Sequence, residues 1–171
     1  MQNRKILIIG EVYVDQHLDI IENGYSTSRL GGIFHAARSC DALNIEYALA
    51  YYAPDYLVKD VEKFGIDVLR ASSVFRLGKV DKAPNVMLIG QSDESGNQLY
   101  ENILGRQAEY VSMLPLMQVL DNFKPTDIII FPGRYGNARI LSDLSDYEGK
   151  IHIDMNYDCD DILDLDTSRV W

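Results

Sequence analysis

Two short apolar runs constrain the fold more than any other feature. Ile6, Leu7, Ile8 and Ile9 stand in a row before Gly10, and Ile128, Ile129, Ile130 and Phe131 stand in a row before Pro132. Neither run alternates with polar residues, so neither offers a wet face. A strand that is apolar on both sides belongs inside a parallel sheet covered by helices front and back. Each run is far shorter than the roughly 20 apolar residues of a membrane-spanning helix. The N-terminus carries no long apolar stretch with a small-residue cleavage site, so the expected location is the cytoplasm, with no membrane partner. A chain of 171 residues is long enough for one domain with a real core.

The sequence around these runs alternates between strand and helix signals. After Gly10, Val12, Val14, Leu18 and Ile20 are apolar in a loose alternation, which predicts a separate extended strand over 11–21 with one face exposed. Gly31 and Gly32 open a helix whose residues Ile33, Ala36, Ala37, Cys40 and Leu43 recur at helical spacing, with Asn44 placed to end it. Residues 45–53 predict a strand. Asp55 stands where it would cap a helix over 56–64, and Gly65 where it would stop it. Residues 74–80, 85–91 and 98–104 then read as strands with no helix between them, the last two joined by a loop over 92–97. With residues 12–20 they predict a small antiparallel sheet beside the main one. The α/β order resumes with a helix over 114–123, the strand Asp127–Phe131, a helix over 137–144 and a strand over 150–155. The expectation is a single α/β domain over 1–171, with a mostly parallel central sheet and helices on both faces.

Charge and composition exclude several functions. The formal net charge is −10, with no basic stripe, which argues against nucleic acid as a partner. An anionic ligand would need a local device such as a helix N-terminus or a single Arg. Cys40 and Cys159 do not form a paired motif, and His17, His35 and His152 lack the spacing of a zinc site. The acidic stretch from Asp154 has Cys159 and Leu165 where a calcium loop needs Gly and Glu. No metal site is expected.

Four local features carry chemistry, each with a plainer alternative. Asp15 follows the first strand, where ligands sit in open α/β sheets; it either receives sugar hydroxyls or is a solvated turn residue. Gly31 and Gly32 either let the backbone approach a ligand or make an ordinary turn. They belong to neither a GxxxxGK[ST] loop nor a GxGxxG fingerprint. The hairpin after Lys82 returns through Tyr100, Arg106 and Glu109. The last strand delivers Asp154 and Asn156 at its carboxyl end. The loop Gly133, Arg134, Tyr135, Gly136, Asn137 either holds a phosphate or is a simple β–α turn.

In their order and spacing, Gly10 to Asp15, Gly31 with Gly32, Ser92 to Gly96, Gly105 to Ser112 and Asp154 to Asn156 resemble the PfkB/ribokinase family of carbohydrate and nucleoside kinases. The resemblance runs along nearly the whole chain. It implies a ribokinase-like three-layer fold whose small sheet, with strands at about 12–30 and 74–104, is a lid over the substrate. Asp15 would hold sugar or nucleoside hydroxyls, Gly31 and Gly32 would pack their backbone against the substrate, and Arg106 would contact it. Asp154 and Asn156 would lie near the phosphate region. The family's Asn five residues after the first Gly is Ala36 here. A one-residue gap would put His35 in its place, as a substrate contact or as plain surface. The G-x-D after the second strand is Ala53, Pro54, Asp55.

The family's catalytic G-A-G-D motif is absent from these residues, so no catalytic residue is assigned. The resemblance therefore implies a truncated, N-terminal substrate-binding portion that does not turn over alone. ATP and Mg²⁺ would serve the complete enzyme, the partner would be a sugar, nucleoside or polyol, and an exposed apolar lid face would favour a homodimer. A non-catalytic ribokinase-like sensor or scaffold, or an unrelated doubly wound binding domain, are the competing readings.

Overall fold

A computed structural model describes residues 4–18, 26–81, 83, 85–89, 97–101, 111–131 and 144–154. Along the chain these form β1 (Lys5–Leu18), β2 (Ser26–Gly32), α1 (Ile33–Ala42), β3 (Glu46–Tyr52), α2 (Val58–Lys63), β4 (Ser73–Lys79), β5 (Asn85–Ile89), β6 (Asn97–Glu101), β7 (Val111–Ser112), α3 (Leu116–Phe123), β8 (Asp127–Phe131) and β9 (Lys150–Ile153).

The two apolar runs lie side by side at the centre. Ile6 to Gly10 pair in parallel with Asp127 to Phe131, and Lys5 to Glu11 pair in parallel with Glu46 to Tyr52 on the other side. The main sheet runs β7-β4-β3-β1-β8-β9, parallel except for β7 at its edge. Alternate residues feed two cores. Ile6, Ile8, Leu49 and Tyr51 meet Phe34, Ala37 and Val61 of α1 and α2. Leu7, Ile9, Ala48, Ile128 and Ile130 meet Leu116, Val119 and Phe123 of α3 on the opposite face. This is the three-layer, mostly parallel α/β arrangement expected from the sequence. Burial of Leu7, Ile8 and Ile9 at 0% exposure stabilises the centre by about 1.5–3 kcal/mol each.

The extra sheet is built differently from expectation. Residues 5–18 form one 14-residue strand rather than two. Its first half lies in the main sheet. Its second half leaves it, pairing antiparallel with β2 and parallel with β5, and β6 adds to β5 antiparallel. The flap order is thus β2-β1-β5-β6, and it contains one parallel pair. β4 is not a flap strand: it pairs in parallel with β3 and buries Leu77 in the main core. The expectation grouped it with the flap because no helix separates it from β5.

Two helix-boundary expectations are also corrected. Asp55 makes no cap hydrogen bond; its carboxylate pairs with Arg76 at 2.8 Å and with Lys79. Gly65 does not end α2. The helix continues as a wider turn over Phe64–Val68, and Gly65 is buried where a Cβ would stand 2.9 Å from Val74 Cγ2. Asn44, by contrast, closes α1 in left-handed conformation at φ 52°. Its N–H donates to Asp41 O and that of Ile45 to Cys40 O, which satisfies the last carbonyls of the helix.

Candidate functional site

β1 sits where the main sheet's connections part, with β3 on one side and β8 on the other. In open α/β sheets the ligand crevice lies beyond the carboxyl ends of the strands at such a point. β1 carries straight through that point, and Asp15 lies just past it, at only 3% exposure. Its Cα pairs with that of Arg29 across β1 and β2, so both side chains leave the same face. Arg29 Nε donates to Asp15 Oδ2 at 3.3 Å, and His35 Nε2 lies 3.1 Å from the same oxygen. The basic side chains are about half exposed, 47% and 53%, whereas the Asp15 side chain is 4% exposed. Burial alone would push the Asp15 carboxyl up, but the hydrogen bond and charge of His35, with those of Arg29, hold it below its ordinary value.

The two glycines make this geometry. A Cβ on residue 31 would lie 2.2 Å from Asp15 Oδ1, so only a bare backbone can pass there. Gly32 has φ 62°, and a Cβ on it would lie 2.4 Å from Glu11 O. That turn starts α1 at once and lays His35, its third residue, over the carboxylate. One turn further, Arg38 donates from Nη2 to Leu30 O at 2.8 Å and covers the Phe64 ring at 5.4 Å. A buried carboxylate with a bare backbone beside it and half-exposed donors above can receive hydroxyls and orient them.

Asp15, Gly31, Gly32 and His35 thus come together in one place. Ala36 is partly buried and packs against the core cluster that holds residues of α1 and α2. Asp154 lies at the carboxyl end of β9, exposed, its backbone N–H donating to Ile130 O at 2.9 Å. Arg106, Asn156 and the loop 133–137 lie outside the described residues. Arg29 and Arg38 were not singled out in the sequence. Arg29 sits in a polar Ser-Thr-Ser-Arg stretch without strand alternation, and only the register with β1 reveals it. Among the described residues no three His, Cys, Asp or Glu side chains gather as a metal would require. No helix among them is long and apolar enough to cross a membrane.

No protein-family model and no curated protein matches the sequence. Solved structures do match. A PfkB family carbohydrate kinase from Listeria grayi is similar with TM-score 0.65 at 13% identity, over 98% of this chain and 54% of its own. A putative 2-keto-3-deoxygluconate kinase from Enterococcus faecalis is similar with TM-score 0.66 at 17% identity, over 91% and 50%. Ribokinase from Giardia lamblia is similar with TM-score 0.61 at 14% identity, over 93% and 53%. The chain has the ribokinase-like fold, and it spans about half the length of these structures.

Proposed function

We propose that this chain is the substrate-binding portion of an ATP-dependent kinase that phosphorylates a hydroxyl of a sugar, nucleoside or similar polyol. The observation that carries the reading is Asp15: a buried carboxylate on the half of β1 that leaves the main sheet for the flap, beside the bare backbone of Gly31. Asp15 accepts hydrogen bonds from the substrate's hydroxyls, Gly31 and Gly32 set its distance, and His35 contacts its rim. The β2-β1-β5-β6 flap closes over it and keeps water from the reacting oxygen. The neighbours' names as carbohydrate, 2-keto-3-deoxygluconate and ribose kinases support this class of substrate. Arg106 and Asn156 keep their proposed places, at the substrate and near the phosphate, and Asp154 shares the latter.

ATP and its Mg²⁺ would supply the transferred phosphoryl group. Among the described residues Asp154 is the one proposed for the phosphate region, so what this chain contributes is binding, orientation and exclusion of water. It binds its substrate in the cytoplasm and does not turn over alone. Thermal unfolding with ribose, fructose and adenosine tests the reading. A true ligand at 100 times its Kd adds about 2.7 kcal/mol of stability. Asp15→Ala should abolish the shift. No shift with any polyol would count against the proposal.

A ribokinase-like sensor without chemistry is the second reading, favoured by Ala36, which packs into the core at the place of the family's Asn. Binding with no phosphoryl transfer, even in a longer form of the protein, would favour it.

A further inference from the structure

Two half-exposed basic side chains, Arg29 and His35, converge on one oxygen of the buried Asp15 carboxylate. They do so in a protein whose 26 acidic residues outnumber its 16 basic ones. Glu11, the other buried carboxylate of β1, has interactions of its own. Arg38, one turn along α1, is committed to Leu30 O and the Phe64 ring. Burial, then the charge of Arg29, makes its guanidinium easier to deprotonate than usual, while Asp15 opposes this.

Arg29 and His35 are different. Each reaches Asp15 through one nitrogen and remains about half exposed. A guanidinium in this state offers donors in the fork geometry that carboxylates and phosphates accept. A neutral polyol would give that fork no acid to meet.

We infer that the ligand of this site carries an acid group, carboxylate or phosphate, beside its hydroxyls, and that Arg29 and His35 meet the acid while Asp15 holds the hydroxyls. This rests on reading the site as a polyol pocket and narrows that reading to one substrate class.

The test is isothermal titration of the chain at low salt with two matched sets: ribose, ribonate and ribose 5-phosphate; glucose, gluconate and glucose 6-phosphate. In at least one set a charged member should bind about tenfold or more tightly than its neutral partner, and which one does so separates carboxylate from phosphate. The preference should weaken as salt is added. Arg29→Gln should remove most of it and Arg29→Lys should keep part. Arg70→Gln, which alters an arginine paired with Asp41 outside the site, should keep it whole. Neutral sugars that bind as tightly as the charged ones overturn the inference and leave the polyol pocket standing. A preference that survives Arg29→Gln overturns the role of Arg29. No binding by any of the six overturns the inference, and the pocket falls with it if fructose and adenosine also fail to bind.

Discussion

Gly31 lies against the carboxylate of Asp15 so closely that a Cβ at residue 31 would fall 2.2 Å from Oδ1. The double glycine and the aspartate, 16 residues apart in the chain, are therefore one structural unit. Gly31→Ala should push the Asp15 side chain out of its place. The expected result is a folded protein destabilised by about 1–3 kcal/mol, with ligand binding weakened at least about tenfold. Urea unfolding and ligand titration on the same variant check both effects.

Acid should destabilise the fold in a defined direction. Burial raises the Asp15 carboxyl, and His35 and Arg29 more than reverse it. The hydroxyl of Thr126 holds Asp127 low, against its burial, and His152 adds to the effect. Both groups sit below their ordinary value of about 3.9 when folded. Their stabilisation is therefore complete above that pH and is lost as pH falls through the folded values. Urea midpoints measured from pH 6 to pH 3 should fall at the acid end. The decline should be shallower in Asp15→Asn.

Two buried tyrosines on β3 should respond in opposite ways to loss of the hydroxyl. Tyr47 donates its O–H to Leu69 O, whereas Tyr51, at 0% exposure, has no hydrogen-bond partner among the described residues. Burial is the main cause that pushes both phenols up to about 12. Tyr47→Phe should cost about 1–2 kcal/mol, because a buried carbonyl loses its donor. Tyr51→Phe should be neutral or stabilise by up to about 1 kcal/mol, since it removes a desolvated hydroxyl that pairs with nothing. Equal losses in the two variants, measured by urea unfolding, would contradict this.

The central sheet was legible because its strands are apolar on both faces. Residues 6–9 and 128–131 announce burial without help from any neighbour. Asp15, Gly31, Gly32 and His35 were visible as residue types at informative positions. Their mutual contact was not, because it depends on β2, and Ser26–Gly32 lacks apolar alternation and has Thr27 as its one β-branched residue. That strand exists because β1 continues past the sheet edge and offers it a partner, a tertiary effect that local propensity does not encode. Arg29 was missed for the same reason. Gly65 looked like a helix stop because glycine usually is one after a helix. Here its missing side chain serves packing against Val74.

The most direct measurement is calorimetric titration of the wild-type chain and of Asp15→Asn with the polyol that gives the largest thermal shift. Asparagine keeps the size of the side chain and removes the charge that hydroxyls, Arg29 and His35 all meet. The account expects saturable binding in the wild type and at least a hundredfold weaker binding in the variant. Equal affinity in the two proteins would contradict it, because the substrate would then lie somewhere other than under the flap at Asp15.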